Sequence, residues 1–213
     1  MFHTVLFDFD GTVFDTVEGI TKSVRYAINK HGMDAPLDAL RCFAGPPLVE
    51  KFMEVFHVSE VMALQLVEEY RERYKPIGLY ECRVFPGVKE LLTALRSRGI
   101  KTGITTLKPQ EHAETLLGRE GMLPLFDVIY GATLSQNETK RQLVERAMRT
   151  LDAAADRTVL VGDTKYDIQG AHAAGIPAIG VRYGYAAAGE LEAAGADWIA
   201  EDMVQLKKLL LGE

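Results

Sequence analysis

Six short apolar runs, separated by helix-periodic segments, constrain this chain more than any other feature. They cover residues 4–8, 100–106, 126–131, 158–162, 178–181 and 197–200. Beside them the spacing predicts helices over 87–97, 110–120, 138–151, 167–174, 188–194 and 203–211. Runs that are apolar almost throughout, rather than alternating, suit strands covered on both faces. Strand–helix alternation of this kind specifies an α/β fold, a parallel sheet with helices on both sides.

One region breaks the alternation. From residue 16 to 79 there are helical patterns without a convincing strand. Asp15 or Thr16 is placed to cap a helix that runs to Lys30 and stops at His31-Gly32. Further helical patterns cover 37–43, 48–56 and 59–75, divided by Gly45-Pro46-Pro47 and by Val58-Ser59. The division expected is therefore an α/β core over 1–15 and 80–213, with an all-helical subdomain over 16–79 inserted after the first strand. An insertion at that point is expected to sit over the strand's carboxyl end as a lid.

The net charge of −6 argues against nucleic acid or an anionic membrane surface as the main partner. Lys207-Lys208 is the nearest thing to a basic cluster and reads as a solvated helix end. Two cysteines, Cys42 and Cys82, with no Cys-x-x-Cys pair, point to a reduced, cytoplasmic protein without disulfides or a thiolate zinc site. No signal peptide or membrane span is expected, since Asp8 interrupts the amino terminus and no apolar stretch reaches ~18 residues.

The first run ends in Asp8-Phe9-Asp10-Gly11-Thr12. Asp8 and Asp10 share a parity, so an extended backbone aims both the same way. Such a pair either opens a turn or forms a ligand site beyond a strand's carboxyl end, where open α/β sheets bind ligands. Paired carboxylates repel, and a hard divalent cation with oxygen ligands is the simplest compensation. Three further features fall at strand ends. Thr105-Thr106 is followed by Leu107-Lys108-Pro109, where a hydroxyl can donate to a bound anion or cap the next helix. Lys140 opens a helix after the polar stretch 135–139, against the macrodipole unless it has an anionic partner or is simply solvated. Asp163 and Asp167, after the strand at 158–162, form a second acidic pair one helical turn apart, although Asp163 could instead cap that helix.

These residues resemble the haloacid dehalogenase superfamily of hydrolases, in its phosphatase branch with a helical cap. Asp8-Phe9-Asp10-Gly11-Thr12-Val13-Phe14-Asp15-Thr16 is similar to that family's first motif, DxDGT(L/V)xDS/T. Thr106 with Lys108-Pro109 resembles the second, Lys140 the third, and Gly162-Asp163-x₃-Asp167 with Gly170-Ala171 the fourth. The tail from Gly175 to Gly184 also looks like family sequence, so the resemblance spans nearly the whole chain. It implies a Rossmann-like core and a Mg²⁺-dependent phosphomonoesterase acting on a small phosphate ester. In that scheme Asp8 is the nucleophile that forms an aspartyl-phosphate. Asp10 is the general acid and then base, and Thr106 and Lys140 hold phosphoryl oxygens. The metal is held by Asp8, the Asp10 backbone carbonyl, Asp163 and Asp167.

An aspartate at position 10 speaks against the carbon–halogen and carbon–phosphorus branches, because a phosphoester leaving group needs a proton donor. Phe43-Ala44-Gly45-Pro46-Pro47-Leu48 resembles the phosphoglycolate phosphatase and nucleotidase-like subgroups. Leu107 departs from their usual Thr-Asn-Lys or Thr-Ser-Lys and cannot hydrogen-bond a substrate. Gly11, Thr12, Leu107, Arg41, Gly45 and Pro46 are the candidates for substrate contact, while Arg41 and Lys51 also read as surface cations. The five histidines lack metal-site spacing, and Trp198 and the aromatic residues of the insertion are expected in the core. Alternatives are a 5′-nucleotidase-like phosphatase, a phosphoglucomutase-like phosphotransferase, and a noncatalytic phosphometabolite-binding protein. Whether the chain is a monomer or a homodimer stays open.

Overall fold

A computed structural model describes residues 2–133 and 138–212. Contacts divide the chain into two units, Met1–Phe14 with Val84–Glu213, and Asp15–Arg83. The chain runs β1 (Thr4–Phe7), β2 (Phe14–Asp15), α1 (Val17–Asn29), a 3₁₀ turn (Leu37–Phe43), α2 (Leu48–Phe56) and α3 (Glu60–Tyr74). After a short 3₁₀ turn it continues with β3 (Arg83–Val84), α4 (Val88–Ser97), β4 (Lys101–Pro109), α5 (Gln110–Arg119), β5 (Val128–Ala132) and α6 (Lys140–Leu151). It closes with β6 (Thr158–Gly162), α7 (Lys165–Ala173), β7 (Ala178–Val181), α8 (Glu190–Ala193), β8 (Trp198–Ala200) and α9 (Met203–Leu211). The pairing of β2 with β3, where the chain leaves and re-enters the larger unit, has no signal in sequences of two residues.

In the larger unit six parallel strands lie in the order β5-β4-β1-β6-β7-β8. The order reverses between β1 and β6, which is the switch point where sheets of this kind open a crevice beyond their carboxyl ends. Val5, Leu6 and Phe7 are all buried although successive side chains point to opposite faces, so both faces are covered. Leu6 and Leu160 pack with Val144, Ala147, Ile168 and Ala171 of α6 and α7 in one apolar cluster. The register aligns Phe7 with Val161 on one side and with Ile104 on the other. Asp8 therefore comes level with Thr105 of β4 on one side and with Gly162, just before Asp163, on the other.

Two expectations need correction. β4 extends to Pro109 rather than ending at Thr106, with a register shift against β5 between Thr106 and Pro109. Leu107 and Lys108 are the extra residues, against a single step of β5, and periodicity does not see such an irregularity. Trp198 is 42% exposed rather than core, because β8 is the outermost strand of the sheet; its ring meets Phe2 edge-on at 5.8 Å. Tyr26 and Tyr80 of the smaller unit are likewise exposed, whereas Phe43, Phe52, Tyr70 and Tyr74 are buried. In β4, Thr105 is fully buried and its hydroxyl has no partner among the described residues. An unmade buried hydrogen bond costs about 1–3 kcal/mol. Thr105→Val should therefore raise stability to urea by about 1 kcal/mol, and a loss of stability would show that the hydroxyl has a partner in solution.

The smaller unit is helical. Ile20, Val24, Ala27 and Ile28 line one face of α1 at helical spacing and are buried with Leu40, Phe43, Phe52 and Leu66. Thr16 stands at the N-cap of α1 but makes no side-chain capping bond, whereas Ser59 caps α3 through Met62 N–H at 3.3 Å. Residues 37–43 form a 3₁₀ rather than an α-helix. Glu81 accepts from Arg73 in a bidentate pair at 2.9 and 3.1 Å and from Lys22 at 3.1 Å. The Arg73 hydrogen bond, outweighing partial burial, holds Glu81 below its ordinary value of 4.5. A carboxylate lowered in the folded state stabilises it above the unfolded value and loses that contribution as pH falls through the folded one. Glu81→Gln should therefore destabilise this unit by about 1–2 kcal/mol at neutral pH, with the difference closing below pH 4.5. Hydrogen exchange of α1 and α3 amides measures it.

Candidate active site

The site lies wholly within the larger unit. β1 delivers Asp8, whose N–H donates to Val161 O at 2.8 Å across to β6. The chain then folds back: Val13 and Phe14 N–H both donate to Phe9 O, at 3.0 and 2.9 Å, while Gly11 donates to Phe14 O at 2.8 Å. Gly11 makes this turn with φ +82°, and a Cβ there would fall 2.0 Å from an Asp163 oxygen. Only glycine satisfies both demands.

Asp163 follows β6 and is fully buried. It accepts from Thr12 Oγ1 at 3.2 Å and from Tyr185 N–H at 2.8 Å, and Tyr183 donates its hydroxyl to Thr12 O at 3.1 Å. The helix start belongs to Thr164 rather than to Asp163. Asp167, on the first turn of α7, accepts from Thr164 N–H and Oγ1 at 3.0 and 2.9 Å. Its other oxygen faces Lys140 Nζ at 2.7 Å, and the same ammonium donates to Asp8 Oδ1 at 2.5 Å. Thr139 caps α6, so Lys140 takes the first helical position, and its stem crosses α7 at Gly170, where a Cβ would lie 2.5 Å from Lys140 Cγ. The unfavourable placement of a cation at a helix start is offset by two buried anions. Residues 134–137, part of the polar stretch before that helix, lie outside the described residues.

Burial pushes Asp8 up from 3.8 to about 7, with Lys140 opposing and Asp167 and Asp10 reinforcing the rise. Burial also raises Asp163 well above the carboxylate range, reinforced by Asp167 and Asp8. Burial disfavours the charge on Lys140, but the attraction of Asp167 and Asp8 wins and its value rises. Asp8, Asp163 and Asp167 keep one oxygen each within 4.8 Å of the others, and all three are buried. Three carboxylates facing one ammonium leave an excess of two negative charges when ionised. A hard divalent cation is the group that such an oxygen-rich, charge-deficient set can hold, and the residues present suit Mg²⁺.

The remaining candidates are placed as follows. Asp10 lies beside this triad with its carboxylate on Lys108 Nζ, at 3.0 and 3.3 Å. Thr106, buried, accepts from Lys108 N–H at 3.2 Å, and the N-cap position of α5 is held by Pro109, which makes no side-chain capping bond. Thr12, expected at the substrate, gives its hydroxyl to Asp163, and Leu107 is half-buried in the shifted segment of β4. Arg41, Gly45 and Pro46 belong to the helical unit, Arg41 exposed and Gly45 at φ +104°. Sequence assigns no role to Lys108, Tyr183 or Tyr185, although Lys108 lies in the second motif and Tyr183 in the family-like tail. Lys108 had a signal in the Thr-x-Lys-Pro spacing, whereas Tyr183 meets Thr12 across 171 positions, a contact no local pattern encodes.

A family model described as haloacid dehalogenase-like hydrolase matches residues 5–181. The chain belongs to that family. It is 38% identical over 208 residues to a 5′-nucleotidase of Pseudomonas aeruginosa, covering 97% of this chain and 94% of the relative. To a plasmid-encoded phosphoglycolate phosphatase of Cupriavidus necator it is 34% identical, over 97% of this chain and 92% of the relative. Among solved structures, that of a predicted phosphatase from Clostridium acetobutylicum superposes with a TM-score of 0.94 at 36% identity, over 100% of both chains. This haloacid dehalogenase-like hydrolase is thus an enzyme of the phosphatase branch, and its noncatalytic alternative falls away. No helix among its described residues is long and apolar enough to cross a membrane.

Proposed function

We propose that the enzyme is a Mg²⁺-dependent phosphomonoesterase, cytoplasmic, that hydrolyses a small phosphorylated metabolite through a phosphoryl group carried on Asp8. The observation that carries this reading is Asp8 itself, a buried carboxylate at the sheet's switch point, 2.5 Å from Lys140 and inside the acidic triad. Asp8 attacks phosphorus while Asp10 gives its proton to the departing oxygen. Asp10 then takes a proton from the water that hydrolyses the aspartyl-phosphate. The Thr106 hydroxyl and the Lys140 ammonium bind phosphoryl oxygens, a clamp set before the substrate arrives. Asp8, Asp163, Asp167 and the Asp10 backbone carbonyl are the groups that would hold Mg²⁺. Bound there, the ion supplies the positive charge that lets an anionic nucleophile approach an anionic ester.

The helical unit is read as the cap that excludes water and meets the leaving group, with Arg41, Gly45, Pro46, Gly11, Thr12 and Leu107 as candidate contacts. The names of the relatives supply two substrate readings. Phosphoglycolate follows from the motif resemblance and the Cupriavidus relative, and a nucleoside 5′-monophosphate from the Pseudomonas relative, which is somewhat more similar. Leu107, unable to hydrogen-bond, tells against a carboxylate contact at that position. Phosphate release from a panel of phosphoglycolate, nucleotides and sugar phosphates, with Mg²⁺ and with chelator, tests the reading. Metal-dependent release from one class is expected. Isomerisation of a sugar phosphate without release would replace hydrolysis by phosphotransfer, and silence across the panel would end the proposal.

A further inference from the structure

Four carboxylates gather beyond β1 and β6, and two lysines sort them. Lys140 holds Asp8 and Asp167, which with Asp163 form the triad. Asp10, beside the triad, meets the other lysine, with Lys108 Nζ donating to Oδ1 at 3.0 Å and to Oδ2 at 3.3 Å. The Lys108 side chain is 3% exposed, and its ammonium also lies 5.6 Å above the Phe9 ring. Its backbone departs from regular pairing to reach this place: the register of β4 shifts between Thr106 and Pro109. Gly131 on the neighbouring strand makes room for the shift, since a Cβ there would fall 2.6 Å from Lys108 O. Burying an ammonium is costly, and bulges of this kind re-aim side chains beside active sites.

We propose that Lys108 is a positioning residue for the leaving-group step: its ammonium, in reach of both Asp10 oxygens, keeps that side chain out of the metal-binding triad and in one place for proton transfer to the leaving oxygen. The inference rests on the phosphomonoesterase reading above. In that step a bond forms between an Asp8 oxygen and phosphorus. The bond from phosphorus to the leaving oxygen breaks, its electron pair stays on that oxygen, and the Asp10 proton joins it there. Lys108 acts through Asp10, so its importance follows how badly the leaving oxygen needs a proton.

That dependence separates a positioning role from a structural one. An alkoxide leaves only with a proton, whereas a nitrophenolate leaves without one. The test is kcat/KM, which reports steps up to departure of the leaving group, measured with Mg²⁺ on phosphoglycolate or the best alkyl phosphate of the panel and on p-nitrophenyl phosphate. Lys108→Met should lose about 10²-fold or more on the alkyl ester and less than about tenfold on the aryl ester. Lys108→Arg should recover most of the selective loss, since it restores a cation to Asp10. Equal losses on both esters, or a larger loss on the aryl ester, would overturn the proposal. Should circular dichroism show Lys108→Met unfolded, Lys108→Gln carries the same comparison under the same criteria. Wild-type enzyme inactive on both esters removes the phosphomonoesterase reading itself, while active wild type with equal losses removes only this inference.

Discussion

Asp8→Asn is expected to abolish phosphate release, by a factor of at least about 10⁴ in kcat with a good aryl leaving group. The amide keeps the shape of the carboxylate but cannot attack phosphorus, and no other described group is placed to take over. Asp10 is held by Lys108, and Asp163 by Thr12 and Tyr185. The variant should nevertheless fold. Asp8 has a folded value raised from 3.8 to about 7, chiefly by burial. For an acid raised in this way, the folded state binds the proton more readily than the unfolded one. The metal-free protein therefore loses stability as pH rises from 3.8 to about 7 and carries the full penalty above that range. A neutral amide removes the penalty, so metal-free Asp8→Asn should melt no lower than wild type at pH 8. Residual turnover near the wild-type rate would sink Asp8 as nucleophile, and collapse of the fold would mean that the carboxylate is structural.

Lys140→Met should act in the opposite sense on stability. It removes the one ammonium shared by Asp8 and Asp167 at 2.5 and 2.7 Å, deep in the protein. Breaking a buried pair costs about 3–5 kcal/mol because a charge is left uncompensated. The loss should be largest at neutral pH and shrink on acidification: Asp8, already raised by burial, loses the ammonium that opposes the rise, so the cost of ionising it in the fold grows as pH climbs above its ordinary value of 3.8. Mg²⁺ should restore more stability to the variant than to wild type, since binding to the folded state alone stabilises it by mass action. Turnover should fall by about 10³-fold even with saturating metal, as expected for losing one preorganised donor to the transferring group. Urea unfolding with and without Mg²⁺ gives the first readout and aryl phosphate turnover the second. A variant as stable as wild type at neutral pH in chelator would show that Lys140 is not the counter-charge.

Much of the site was legible because its chemistry is concentrated in short runs. Asp8 and Asp10 follow an apolar strand directly, and Asp163 and Asp167 follow another, so local pattern places both pairs at strand ends. Lys140 drew notice as a cation where the helix dipole disfavours one, and the structure supplies its partners. The pairing of Lys108 with Asp10 has no local signal, because it depends on a register shift against β5, a property of two strands together. The exposure of Trp198 has no local signal, because it depends on which strand ends up at the edge of the sheet.

The sequence alone determined the α/β alternation, the helical insertion and the acidic residue types at strand ends, since each depends on periodicity or on neighbours within a few positions. Only the tertiary structure decided which of those residues meet. The strand order brings Asp8 beside Asp163 across 155 positions and threads Lys140 between Asp8 and Asp167. It also leaves Asp10 to Lys108. A carboxylate acquires its role from the charges within a few ångströms of it, and long-range pairing fixes those distances.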